Sequence, residues 1–295
     1  MPRFKFQTVD VFTDRRFGGN QLAVVTGAEG IGDATMQSLA AEFNFSETTF
    51  VLPPVDGANS ARVRIFNRTA EMAFAGHPMV GTAFILALER PDLARLSFEV
   101  PAGLVRVEVV RDDRGAPVGA KVAAPQRLST GEEVSVETVA DCLGLALADI
   151  VIATHRPIVA SVGNPYVIVE VTDAALARCL PDIRAFRAAL AERPHFGKRF
   201  SLHVYARDGQ RLRARMFAPL SGTWEDPATG SANAPLACLL LQRAGGERAD
   251  FEIHQGVEMG RPSLLIVSVQ KRADGVHATL FGKCVPVTRG EIILD

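Results

Sequence analysis

Two stretches half a chain apart repeat one pattern, and this repeat limits the possible fold more than any other feature. Arg62-Val63-Arg64-Ile65-Phe66 and Arg213-Ala214-Arg215-Met216-Phe217 alternate charged with apolar residues, the period of a half-buried strand. Each leads through a glycine-containing turn, Gly76-His77 or Gly230-Ser231, into an apolar helical segment, Met79 to Leu88 or Pro235 to Leu240. A helix apolar nearly all round is stable only when a core encloses it. After each helix come strands joined by glycines, around Pro101-Ala102-Gly103 and Gln255-Gly256-Val257. The reading is an internal duplication in which each half wraps a sheet around one buried helix.

Further elements follow from local pattern. Strands are expected at Phe4 to Val11, Leu22 to Val25, Thr48 to Leu52, Ala61 to Phe66, Leu96 to Val100, Leu104 to Val110 and Gly119 to Ala123, with Pro157 to Ser161 and Val167 to Val171 in the second half. Asp33 is placed to cap a helix carrying Met36, Leu39, Ala40 and Phe43, and Pro78 sits near the first position of the buried helix, where a missing N–H costs nothing. Helices are also expected near Val136 to Leu143, Asp173 to Cys179 and Ile183 to Glu192. The polar, turn-rich Pro125 to Gly131 reads as a linker.

Composition matters mainly for what it excludes. With 32 basic and 33 acidic side chains among 295 residues, the chain lacks the basic excess of a nucleic-acid binder, although Arg211, Arg213 and Arg215 form a local patch. Cys142, Cys179, Cys238 and Cys284 are widely spaced, with no CxxC and no histidine at ligand spacing, so they read as reduced, buried thiols and no metal is expected. No apolar run is long enough for a membrane span, and Met1 to Gln7 has no signal-like apolar core. A cytoplasmic location is therefore expected, with no membrane or nucleic-acid partner.

Several residues could carry chemistry. The turns at Gly76 and Gly230 open helices whose first N–H groups could grip a carboxylate, or could simply be tight turns. Glu47, in Phe45-Ser46-Glu47-Thr48-Thr49-Phe50, could be a proton carrier in an apolar setting or a capping glutamate. His77 could be a neutral donor or a structural hydrogen-bonder at a helix start. Asp226 could contact substrate or serve as a turn residue before proline. No HExxH, GxSxG, GxxxxGK[ST] or GxGxxG motif occurs.

Five blocks together resemble one family. Gly19-Asn20-Gln21-Leu22-Ala23-Val24-Val25, Ser46-Glu47-Thr48-Thr49-Phe50-Val51, Phe74-Ala75-Gly76-His77-Pro78, Asp226-Pro227-Ala228-Thr229-Gly230-Ser231-Ala232 and Gln255 to Ser263 stand in the order found in the phenazine-biosynthesis PhzF-like isomerases, of diaminopimelate-epimerase-like fold. The resemblance implies an α+β architecture of two similar domains, each a curved, mostly antiparallel sheet around a central buried helix. They would span 1–127, with a strand at 284–295 returning to it, and 128–283, with the active site in the cleft between them. It also implies a cofactor-independent isomerase, and excludes two-cysteine racemisation because no cysteine stands at the relevant places.

Carried over to this sequence, the resemblance makes Glu47 the general acid/base moving a proton between carbons of a small carboxylate like trans-2,3-dihydro-3-hydroxyanthranilate. Ser46, Gly76, His77, Asp226, Gly230 and Ser231 would bind that substrate. A homodimer is implied as well. Gln21, Asn67-Arg68 and Ala234 depart from the usual family residues, which bears on substrate identity. Alternatives are a non-catalytic binder of a small metabolite on the same fold, and an epimerase or racemase of an amino or hydroxy acid.

Overall fold

The computed structural model describes residues 2–197 and 200–294; Asp295, the end of the expected returning strand, lies outside them. The chain divides into two compact units, Met1–Ala123 with Phe281–Asp295, and Ala124–Leu280.

In the first unit the order is β1 (Arg3–Val11), β2 (Asn20–Thr26), α1 (Asp33–Phe43), β3 (Glu47–Leu52), β4 (Ala61–Phe66), β5 (Glu71–Met72), α2 (Gly76–Glu89), β6 (Arg95–Val100), β7 (Gly103–Arg111) and β8 (Pro117–Ala123). Pairing runs β1–β2 antiparallel, β2–β3 parallel, β3–β4 antiparallel, β4–β6 parallel, then β6–β7 and β7–β8 antiparallel, with β5 on β4. Residues Gly76 to Ala87 of α2 are buried, against β1, β2, β3, β7 and β8. Gly81 permits this close seat, because a Cβ there would lie 2.6 Å from Leu22 Cδ2 and 2.9 Å from Val11 Cγ2. Met36 and Ala40 of α1 join a separate core with Val25, Phe50 and Phe66.

The second unit contains β9 (Ser129–Glu133), α3 (Val136–Leu143), β10 (Ile150–Val151), β11 (Ile158–Ser161), β12 (Pro165–Val171), α4 (Asp173–Leu176), α5 (Ile183–Ala191), β13 (Leu202–Asp208), β14 (Arg211–Ala218), β15 (Thr223–Asp226), α6 (Gly230–Ala244), β16 (Arg248–Gln255) and β17 (Ser263–Arg272). Its ladder repeats that of the first: β11–β12 antiparallel, β12–β13 parallel, β13–β14 antiparallel, β14–β16 parallel, β16–β17 antiparallel, with β15 on β14. Helix α6 takes the place of α2, against β11, β12, β16 and β17, while Val139, Cys142, Leu143 and Phe186 of α3 and α5 pack with Val167, Val169, Leu202 and Val204. The duplication thus extends from two short stretches to whole mixed, mostly antiparallel sheets, the α+β arrangement expected. The last strand, β18 (Gly275–Ile293), pairs from Cys284 to Ile293 with β1.

Four local readings need correction. Ser129 to Glu133, its first three residues assigned to a linker, is a strand on β11; all five residues are exposed, so no burial period marks it. Gly32, not Asp33, is the N-cap of α1, and the Asp33 carboxylate pairs with Arg64 at 2.5 Å. Pro78 is the third residue of α2, still within the first turn where no N–H is missed. Pro235 lies inside α6, where its missing N–H frees the Ser231 carbonyl of its i+4 partner.

The arginine patch is also neutralised within the unit. Arg215, nearly buried, makes paired 2.8 Å bonds to Glu225, Arg213 meets Asp173 and Glu258, and Arg211 lies 3.6 Å from Glu252.

Candidate active site

In the first unit, Glu47 opens β3 and His77 is the second residue of α2. The parallel β2–β3 pairing sets Leu22 opposite Glu47, and Asn20 at the start of β2 reaches the His77 ring, with Nδ2 3.4 Å from Nδ1. His77 Nε2 lies 3.2 Å from Glu47 Oε2, and both side chains are largely buried. Burial pushes the imidazole down to about 3, against a hydrogen bond with the Gln21 main chain that acts the other way. His77 is therefore neutral at neutral pH, and the positive end of α2, where no side chain caps Ala75, disfavours its cation further. Gly76 opens that helix, and Ser46 is half-buried in the bend before β3. A carboxylate, a neutral imidazole and helix N–H groups thus share one corner of the unit.

The second unit builds its polar cluster at the matching corner. Asp226 ends β15, buried, and its Oδ2 accepts the Thr229 hydroxyl at 2.5 Å. Ser231, second residue of α6, lies 2.7 Å from the Tyr166 hydroxyl, and Tyr166 packs with Met216, Ala218 and Ala232. Gly230 opens α6 behind Thr229, which has no side-chain cap. Gly256 (φ +73°) crosses beneath this turn so closely that a Cβ would lie 2.6 Å from the Pro227 carbonyl oxygen.

Strand register aligns the two corners. Thr48 pairs with Phe66 and Leu202 with Phe217, so Ser201 stands where Glu47 does. Met72 opposite Ile65 corresponds to Asp226 opposite Met216, and His77 after Gly76 corresponds to Ser231 after Gly230. Ser201 is neither an acid nor a thiol. The cysteines are all buried away from these positions, and burial pushes Cys142, Cys179 and Cys238 up to about 12 and Cys284 higher still.

A family model described as phenazine biosynthesis-like protein, PhzC-PhzF, matches residues 9–290. The chain belongs to this family. The trans-2,3-dihydro-3-hydroxyanthranilate isomerase of Pseudomonas chlororaphis is 35% identical over 290 residues, covering 97% of this chain and 98% of the relative. A crystal structure of a PhzF-family phenazine biosynthesis protein from Bacillus anthracis matches with a TM-score of 0.87 at 26% identity, over 100% of both chains. A hydroxyproline epimerase from Agrobacterium vitis shares the fold, with a TM-score of 0.65 at 15% identity over 100% of this chain and 92% of that one. The chain is accordingly an isomerase of the phenazine biosynthesis-like family on the epimerase-type fold. No helix among the described residues is long and apolar enough to cross a membrane.

Sequence reasoning missed Asn20 as a partner of His77, and it missed Tyr166, Thr229, Asn233, Gln255 and His203 around Asp226 and Ser231. One signal was available: Gly163-Asn164-Pro165-Tyr166 at the start of β12 echoes Gly19-Asn20-Gln21-Leu22 at the start of β2.

Proposed function

We propose that Glu47 is the general acid/base of this isomerase and that the substrate is a small ring carboxylate of the trans-2,3-dihydro-3-hydroxyanthranilate type, the compound in the name of the Pseudomonas chlororaphis relative. The observation that carries this is the contact of Glu47 with a buried, neutral His77 at an uncapped helix start. The Glu47 carboxylate removes a proton from one ring carbon, the electron pair spreads through the conjugated system, and the same proton returns to another carbon. Atoms and charge balance, and the transfer is cofactor-independent. His77 donates to or accepts from Glu47 as its proton comes and goes. The substrate carboxylate is met by N–H groups at Gly76 and Gly230, with Ser46, Asp226 and Ser231 as further contacts.

Ser201 at the position repeating Glu47 favours one proton carrier over the two that a racemase needs. One carrier suffices when the proton leaves and returns on the same face of the ring. The test is conversion of trans-2,3-dihydro-3-hydroxyanthranilate in D₂O by wild type and Glu47→Gln, followed by NMR. A loss of about 10²- to 10⁴-fold in the variant is expected. Equal turnover and deuterium incorporation by Glu47→Gln would remove the glutamate from this role.

A further inference from the structure

Beneath the start of α6 lie polar groups that the proposed chemistry does not use. Gln255, Asn233 and His203 are fully buried, and Thr229 nearly so. Their hydrogen atoms can be placed by elimination. The Thr229 main-chain N–H can only donate, so the Gln255 atom 3.1 Å away is Oε1, and the Asp226 main-chain carbonyl can only accept, so the atom 2.8 Å from it is Nε2. Gln255 Nε2 therefore spends its second N–H on Thr229 Oγ1 at 3.0 Å. The single Thr229 hydroxyl proton is left for Asp226 Oδ2.

The same logic runs backwards from Gln255. Asn233 Nδ2 donates to Gln255 Oε1 at 2.7 Å and to the Thr229 carbonyl at 3.0 Å, so Asn233 Oδ1 accepts from His203 Nε2 at 2.9 Å. The bonds between side chains then all point one way: His203 to Asn233, Asn233 to Gln255, Gln255 to Thr229, Thr229 to the Asp226 carboxylate. Bonds aligned in one direction polarise one another, and buried chains of this kind fix geometry tightly. At the far terminus from Asp226, His203 Nδ1 has no hydrogen-bond partner among the described residues.

We infer that this one-way chain makes Thr229 and Gln255 positioning residues, which aim the Asp226 carboxylate at the substrate. The inference rests on the assignment of Asp226 as a substrate contact. Among the described residues the first unit has no such chain at the matching place, since Met72 stands where Asp226 does and Ala75 where Thr229 does.

A double-mutant cycle of Thr229→Val with Asp226→Ala tests it, with Thr229→Ser as the conservative variant. Val keeps the shape of Thr and deletes the hydroxyl, which donates to Asp226 and accepts from Gln255. Thr229→Val should lower kcat/KM about 10- to 100-fold, the effect of losing a hydrogen bond to a charged group. Thr229→Ser should restore most of it, and Thr229→Val should add almost nothing in the Asp226→Ala background. Should Thr229→Val fail to fold, Gln255→Glu replaces it in the cycle, because it swaps the donor that orients the Thr229 hydroxyl for an acceptor. Additive losses, or wild-type kinetics in the chain variant, overturn the positioning role and leave the Asp226 contact standing. Wild-type kinetics in Asp226→Ala overturn the contact itself.

Discussion

Acid should destabilise the second unit through His203, by an amount the structure sets. Burial pushes this imidazole from 6.5 down to about 4, and its bond to Asn233 only partly opposes the shift. A base whose folded-state value is depressed stays neutral in the native protein while the unfolded chain takes up a proton. Its contribution is complete above pH 6.5 and is lost as pH falls from 6.5 toward 4. Linkage with these values makes the loss between pH 7 and pH 5 about 2 kcal/mol. His77, at about 3, adds a similar term in the first unit.

Urea unfolding of wild type and His203→Gln at pH 7 and pH 5 isolates the term. Trp224 in β15, the sole tryptophan and half exposed, reports on the second unit by fluorescence. Gln can keep an N–H on Asn233 Oδ1 without a titrating nitrogen. His155, also depressed by burial, is unchanged in both proteins and cancels. Between the two pH values the variant should lose about 2 kcal/mol less stability than wild type. Equal losses would show that His203 is not held neutral, and would refute the reasoning.

Three further outcomes follow from packing and charge. Gly81→Ala should cost about 1–3 kcal/mol in urea unfolding, since its Cβ meets Leu22, Val11 and Val9 and α2 would have to move off β1 and β2; an unchanged midpoint would contradict the close seat. Arg215→Ala should cost about 3–5 kcal/mol by stranding the largely buried Glu225, whereas the exposed Arg211→Ala should stay within about 0.5 kcal/mol, so equal effects would refute the distinction. None of the four thiols should react with a disulfide reagent in the native protein and all four should in urea, because burial both covers them and disfavours their thiolates.

What the sequence reveals and conceals has physical causes. Both central helices are legible because an all-round apolar segment leaves no alternative to burial, and the Arg62–Phe66 and Arg213–Phe217 strands because their period is clean. Ser129 to Glu133 is not, since an edge strand with no buried side chain is held by main-chain bonds that carry no side-chain signature. Glu47 and His77 are legible as residues through family motifs, but their 3.2 Å contact depends on the parallel β2–β3 register. The chain behind Asp226 is the hardest to read. Asn233 and His203 are single polar residues within apolar runs, and only the fold shows that Gln255, far along the sequence, links Asn233 to Thr229.

The two units share a scaffold and differ in what they place on it, and the difference bears on how a single glutamate can work. A carrier that both takes and returns a proton must be stable in each state. An imidazolium 3.2 Å away would favour the ionised carboxylate and resist the protonated one. Burial of His77 removes that charge, so the ring can meet the carboxylate with a lone pair or with an N–H according to which state Glu47 is in. The second unit needs no such exchange at its matching corner. Ser231 and Asp226 stand where His77 and Met72 do, and the side-chain bonds that lead from Gln255 through Thr229 to Asp226 run one way, which suits a fixed contact and not a proton carrier. With Glu47 as the proposed proton carrier, the duplicated fold separates the group that would move a proton from the groups that would hold still.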